Sequence, residues 1–172
     1  MATKPASRGI KLFGTDVPDG KKRTLTAGPI SAVLDNGALR YIRFNGAEVL
    51  RGIAFLVRDK NWGTYAPAIT GLKVRQGKDS FMVSYDAVCQ DADQGIRYAA
   101  KIEASAQGVV KFSAHATPLT DFLTNRTGFV VLQSHEVAAA ELATLKGLAR
   151  VRLRADGRPL LHHVQEWVER HE

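Results

Sequence analysis

The chain has 172 residues, 45% of them apolar, and carries 24 Lys and Arg against 17 Asp and Glu, a formal charge of +7. That length and apolar content specify one ordinary hydrophobic core and exclude disordered and collagen-like classes. A lone cysteine, Cys89, excludes an internal disulfide framework and a cysteine-built zinc site, and fits a reducing, cytoplasmic setting. No apolar run reaches the roughly 18 residues of a membrane span, and Met1–Pro5 opens no signal core, so a membrane partner is not expected.

The charge surplus sits mainly at the start. Residues 1–28 hold six basic side chains (Lys4, Arg8, Lys11, Lys21, Lys22, Arg23) and two acidic ones (Asp16, Asp19). One reading is a polyanion-binding arm, since clustered Lys and Arg release counterions from phosphate backbones. The simpler reading is a flexible basic leader over residues 1–23, broken by Gly14, Pro18 and Gly20, with Phe13 as its aromatic.

From Thr24 the side chains alternate with period two, the pattern of half-buried antiparallel strands. Ile30, Ala32 and Leu34 lead into Asp35-Asn36-Gly37, and Ala38–Phe44 leads into Asn45-Gly46. Both are hairpin signals, because Asn and Gly tolerate the positive φ that tight turns demand. Ala47–Leu50 is expected as the third strand of this meander, and Ile53, Phe55 and Val57 as the inward face of the next. Beyond Pro67 an extended piece runs from Ile69 to Gln76. Phe81, Val83, Tyr85, Ala87 and Cys89 then share one face, followed by Ile96, Tyr98, Ala100, Ile102 and Ala104, and by Val110, Phe112, Ala114 and Ala116. Cys89 thus falls on an apolar face without a flanking His or Lys, which makes it a buried hydrophobe rather than a reactive thiol. Gly128–Leu132, nearly all apolar, reads as a central strand covered on both faces.

After residue 133 the rhythm changes. Ser134 suits an N-cap, and Ala138, Leu142, Leu145 and Ala149 fall at helical spacing. Val151–Leu153 with Asp156-Gly157 reads as a short strand and turn. Leu161, Val164, Trp167 and Val168 line a closing amphipathic helix. The expected organisation is a leader (1–23), an antiparallel β-sandwich (24–133) and a helical tail (134–172) with one or two helices packed on it.

Two segments hold the side chains most suited to recognition. Arg58-Asp59-Lys60-Asn61-Trp62-Gly63-Thr64 places an indole beside charged and amide groups where an apolar strand stops. Trp62 offers a face for the C–H side of a sugar ring, with Asp59 and Asn61 able to bond its hydroxyls; the competing reading is a loop clamp with Trp62 over the core and Arg58 paired locally. In Asn125-Arg126-Thr127-Gly128, Asn125 can satisfy turn amides and Arg126 can hold an anion or bridge loops. The histidines give little: His115 lies on a polar strand face, His162 and His163 point apart on a helix, and His135 and His171 stand alone. No metal or cofactor is expected, and no nucleophile elbow, phosphate loop, zinc-helix or dinucleotide fingerprint is present.

Leu25–Pro29, Leu39-Arg40-Tyr41-Ile42-Arg43, Val57–Thr64 and Asn125–Leu132 together resemble the N-terminal β-domain of the D-apionate lactonase family. The resemblance covers about Leu25 to Leu132. It implies a supersandwich-like β-domain that precedes a (β/α)8 barrel and a further β-domain, with lactone hydrolysis expected in or around the barrel. A barrel needs about 250 residues, and Gln133-Ser134-His135-Glu136 opens an Ala/Leu/Arg-rich tail where relatives are expected to continue with a His-Pro turn and more strands. The expectation is therefore an accessory or fragmentary module, a truncated or rearranged relative, whose targets are a sugar acid or lactone, a barrel domain, or a second copy of the chain. Arg58, Asp59, Asn61, Trp62, Asn125 and Arg126 form its expected contact corner. A rival reading is a small lactone hydrolase using Asp59 with His115 or Asp121. A nucleic-acid module is disfavoured by the dispersed charge beyond the leader and the lack of interleaved aromatics.

Overall fold

A computed structural model describes residues 22–133, 150–155 and 158–159. Two β-sheets face each other. The first has the order β1 (Arg23–Ala27), β2 (Ile30–Asp35), β3 (Ala38–Phe44), β4 (Ala47–Asp59), β9 (Thr124–Gln133). The second has the order β11 (Arg158–Pro159), β10 (Arg150–Ala155), β8 (Val109–Pro118), β7 (Gly95–Ser105), β6 (Ser80–Gln90), β5 (Ala68–Gln76).

The alternation read along the chain is the alternation that is buried. Ile30, Ala32 and Leu34 in β2, Phe81 to Cys89 in β6, Ile96 to Ala104 in β7 and Val110 to Ala114 in β8 all turn inward. They meet Leu25, Leu39, Ile42, Ile53, Phe55 and Val57 of the first sheet in one cluster. Cys89 is 1% exposed, and burial pushes its thiol up to about 11, as an inert core residue requires. Tyr98 is likewise pushed up to about 12 by burial.

Aromatic rings tie the layers together. Phe55 lies 4.7 Å from Tyr98 across the interior and 5.4 Å from Phe129, which in turn lies 5.1 Å from Phe112. At the opposite end the layers are joined through the backbone, Gly28 N–H donating to Lys78 O at 3.4 Å, and through Gln76 Nε2 donating to Thr26 Oγ1 at 2.8 Å.

Both expected Asn-Gly hairpins form. Asn36 and Gly37 have φ of 45° and 79°, and Asn45 and Gly46 have 49° and 87°, the paired positive values of a tight two-residue turn. Other expectations need correction. Ala47–Leu50 and Ile53–Val57 belong to one strand, β4, because the chain passes Arg51 and Gly52 through a register shift against β9 rather than a turn. The apolar run Gly128–Leu132 is not central: β9 is the last described strand of its sheet, paired with β4. Phe129 and Val131 pack on the core, whereas Val130 is half-buried and Leu132 exposed. A continuous apolar run looks the same in sequence whether one or both faces are covered.

Val151–Leu153 does lie in a strand, β10, which pairs parallel to β8 with Arg150 opposite Val109 and Ala155 opposite Ala114. The helices expected over 134–149 and 161–168, and the leader up to residue 21, lie outside the described residues.

The two hairpin glycines separate backbone strain from crowding. A Cβ on Gly46 would meet nothing within 4 Å, whereas one on Gly37 would stand 2.8 Å from the Tyr85 hydroxyl, which donates to Gly37 O at 2.9 Å. Gly46→Ala is expected to cost ~1 kcal/mol for its left-handed backbone. Gly37→Ala adds an overpacking cost to the same backbone cost, for a total of about 2–4 kcal/mol. Urea denaturation midpoints of the two variants check the ordering.

Candidate functional site

The two motifs separated by some sixty residues meet at one end of the sandwich. β4 and β9 are ladder neighbours, so Arg58 stands opposite Arg126 and Asp59 opposite Thr124. Thr124 Oγ1 donates to Arg58 O at 2.6 Å and shares a hydrogen bond with Thr127 Oγ1 at 3.0 Å, while Asn125 Nδ2 donates to Lys60 O at 3.0 Å. The corner anticipated from Arg58, Asp59, Asn61, Trp62, Asn125 and Arg126 therefore exists as a single place.

Asp59 organises the loop that follows it. Its Oδ1 accepts from the backbone of Asn61 at 2.7 Å and Gly63 at 2.8 Å, and its own N–H donates to Gly63 O at 2.9 Å. A Cβ at position 63 would stand 2.5 Å from Asp59 Oδ2, so a side chain there would displace the carboxylate that holds the loop. The turn leaves Trp62 at φ 69°, a costly conformation for an aromatic residue, with its side chain 54% exposed. The Arg58 guanidinium lies 5.6 Å from the centre of the Trp62 ring. Its Nε is buried without a hydrogen-bond partner among the described residues.

A second polar cluster, at the 91–94 turn, braces the same end. Asp91 Oδ1 accepts from the amides of Asp93 and Gln94, each at 2.9 Å, and its Oδ2 accepts from the Tyr65 hydroxyl. Gln94 Nε2 donates to Tyr65 Oη at 2.9 Å and to Leu123 O at 3.2 Å, and Gln94 Oε1 accepts from Leu123 N at 2.9 Å. Thr120 Oγ1 accepts from Gly95 N at 3.1 Å, and the Tyr65 and Phe122 rings sit 5.9 Å apart. The loop following β4, the 91–94 turn and the 119–123 connection are thus stitched into one surface. Its large exposed apolar side chains are Trp62, Leu119 at 49% and Leu123 at 63%.

Two of the polar side chains expected as ligand contacts, Asp59 and Asn125, hold backbone instead, whereas Asn61, Trp62 and Arg126 are exposed. His115 stands elsewhere, exposed on β8 opposite Ala99, and Asp121 is exposed on the 119–123 connection. Among the described residues no three His, Cys, Asp or Glu side chains gather as a metal site, and no helix is long and apolar enough to cross a membrane. Tyr65, Asp91 and Gln94 were missed because their partners lie 26 to 29 residues away, a separation without a local signature.

Comparison with known proteins places the chain clearly. The model of the family described as "D-apionate lactonase, N-terminal domain" matches residues 10–151, reaching into the leader and past Leu132. The D-apionate lactonase of Brucella anthropi is 42% identical over 122 residues, which are 70% of this chain and 20% of that protein. The chain spans about a fifth of the length of that curated relative. No solved structure matches it.

The Tyr65–Asp91 bond has a signed pH signature. Donation from Tyr65, followed by the amides of Asp93 and Gln94, holds the Asp91 carboxyl below the usual carboxylate range. The same bond to Asp91 raises the Tyr65 phenol. A depressed folded value stabilises above the unfolded carboxylate value of about 3.9. That contribution is lost as pH falls through the folded value. The raised phenol acts in the opposite direction, stabilising up to about pH 10 and weakening above it. Tyr65→Phe is expected to flatten both flanks of the stability profile, read from urea midpoints across pH 2.5–11.

Proposed function

The chain belongs to the D-apionate lactonase N-terminal domain family, and from that premise we propose that it is an accessory β-sandwich of a sugar-acid lactonase whose loop-bearing end docks on another domain of such an enzyme. One observation carries the reading. Asp59 and Asn125 at this end are spent on holding loops, Asp59 on the Asn61 and Gly63 amides and Asn125 on Lys60 O, while Trp62, Leu119 and Leu123 are left exposed. Rigid loops presenting an indole and two leucines suit protein–protein packing, where a few buried aromatics carry most of the energy. The Brucella anthropi relative supplies ample chain for a partner, since four-fifths of it lies outside the match.

A second reading rests on Arg58 and Arg126. They are ladder partners, so two like charges share one sheet face next to the Trp62 ring. Like charges side by side destabilise a sheet, and an anion between them offsets that cost. The carboxylate of a sugar acid, with its C–H face on Trp62, suits this corner.

A chimera in which the matched segment of this chain replaces its counterpart in the Brucella anthropi lactonase separates the readings. If the end docks, Trp62→Ala destabilises the assembled chimera by ~2 kcal/mol but the isolated chain by less than about 0.5 kcal/mol, because an exposed side chain loses little when removed. Equal losses in both would sink the docking reading. If a sugar acid binds instead, the isolated chain shows saturable tryptophan quenching that Arg126→Gln abolishes, Trp167 serving as the internal constant.

A further inference from the structure

The segment Leu39-Arg40-Tyr41-Ile42-Arg43 lies away from the loop end, and its backbone departs from a regular strand. Strict alternation from buried Leu39 would turn Tyr41 inward; instead Leu39 and Ile42 are buried and Arg40 and Tyr41 both face outward. The ladder shows how. Ser31 pairs with Arg43 and Val33 with Arg40, so β3 holds one residue more than β2 across this stretch, a β-bulge. Tyr41 takes a φ of 49°, left-handed for a bulky aromatic residue, and stays 46% exposed.

The neighbouring strand bulges at the same level. Against β9, Leu50 pairs with Gln133 and Gly52 with Leu132, which leaves Arg51 as the extra residue. The Arg51 guanidinium comes to 5.5 Å above the Tyr41 ring. Behind it, Glu48 is 5% exposed and pairs with Arg51 Nε at 2.7 Å and with Arg43 at 3.9 Å. That Oε1 makes no directed hydrogen bond, so charge rather than geometry carries the pairing with Arg51. Gly52 leaves room for Arg40, whose Cδ would lie 3.4 Å from a Cβ at that position.

Two bulges have therefore turned Tyr41 and Arg51 to the side of the sheet that Arg40 already faces by alternation. They line a cavity of about 140 Å³ together with Lys22, Val33 and Asp35. Three cations face one carboxylate there, and the Tyr41 ring forms a wall.

We propose that this cavity on the outer face of the first sheet is a binding site for a small polyhydroxy carboxylate, whose carboxyl group is held between Arg40 and Arg51 while its hydroxyls reach Asp35. Guanidinium groups match a carboxylate with paired, charge-assisted hydrogen bonds. Asp35 accepts from hydroxyl groups and would repel a second negative charge, which disfavours phosphate. Glu48 balances Arg51 by charge, its Oε1 standing 2.7 Å from Arg51 Nε. The site is separate from the Trp62 corner, so it stands or falls independently of the proposed docking role.

The test is amide chemical-shift mapping of the full chain with gluconate as probe, and with sorbitol and inorganic phosphate as comparisons. Gluconate is expected to give saturable shifts at Tyr41, Arg51 and Asp35. Arg40→Gln and Arg51→Gln each weaken binding by about tenfold or more, and Leu72→Ala, at an exposed position on the second sheet, leaves it unchanged. Tyr41→Gly, which removes the ring and relieves the left-handed backbone, keeps or raises the denaturation midpoint while weakening gluconate binding. No saturable shift at these amides, undiminished binding in Arg40→Gln, or sorbitol or phosphate binding as tightly as gluconate would overturn the proposal.

Discussion

Everything at the loop end depends on the stack of rings between the sheets. Phe55 of β4 touches Tyr98 of β7 on one side and Phe129 of β9 on the other, and Phe129 reaches on to Phe112 of β8. Phe55 and Phe129 are also ladder partners, so the contact that joins the layers also sets the register of β4 against β9. A slip of one residue would turn Phe129 outward and put Val130 in its place. It would also separate Thr124 from Arg58 O and Asn125 from Lys60 O, undoing the corner. The geometry of the corner is thus tied to packing in the interior through a single strand pair.

That dependence accounts for what could be read in advance. Within the sandwich, period-two alternation and Asn-Gly turns are local signals, and they place the buried faces of β2, β6, β7 and β8 correctly. The members of the corner were also legible, since a strand ending in Arg58-Asp59-Lys60-Asn61-Trp62 can end only in a specialised loop. The jobs of those residues were not. Whether Asp59 bonds a ligand or its own loop depends on where the Asn61 and Gly63 amides point, which residue types alone leave open. Tyr65, Asp91 and Gln94 were invisible for a related reason: each is unremarkable alone, and their meeting is a property of topology. β9 was misplaced because an apolar run records apolarity and nothing about how many faces are covered.

The irregular positions carry more information than the regular ones. In a strict ladder, Tyr41 would have joined the core and Arg51 would have kept step with its neighbours. One added residue in each of two adjacent strands turns both outward at the same height, and the buried carboxylate of Glu48 lies beneath them. A sheet gains nothing in packing from a tyrosine at positive φ, and it loses pairing at each bulge. Such costs persist where the surrounding structure over-determines them, and here the surroundings are three cations around a cavity.

The two outward-looking places differ in kind, and the difference follows from how each spends its polar groups. At the loop end, Asp59, Gln94 and Asn125 satisfy backbone, and three large apolar side chains, Trp62, Leu119 and Leu123, are left exposed among charged neighbours. On the sheet face, backbone pairing is supplied within the ladder except at the bulges, so Arg40 and Arg51 hold no loop: Arg51 pairs with Glu48 and lies over the Tyr41 ring, and both line the cavity. A β-sandwich can therefore present a dry contact at its end and a charged one on its flank without either disturbing the core. Loops must consume polar side chains to stay ordered, whereas a sheet face has most of its hydrogen bonds supplied by its own ladder.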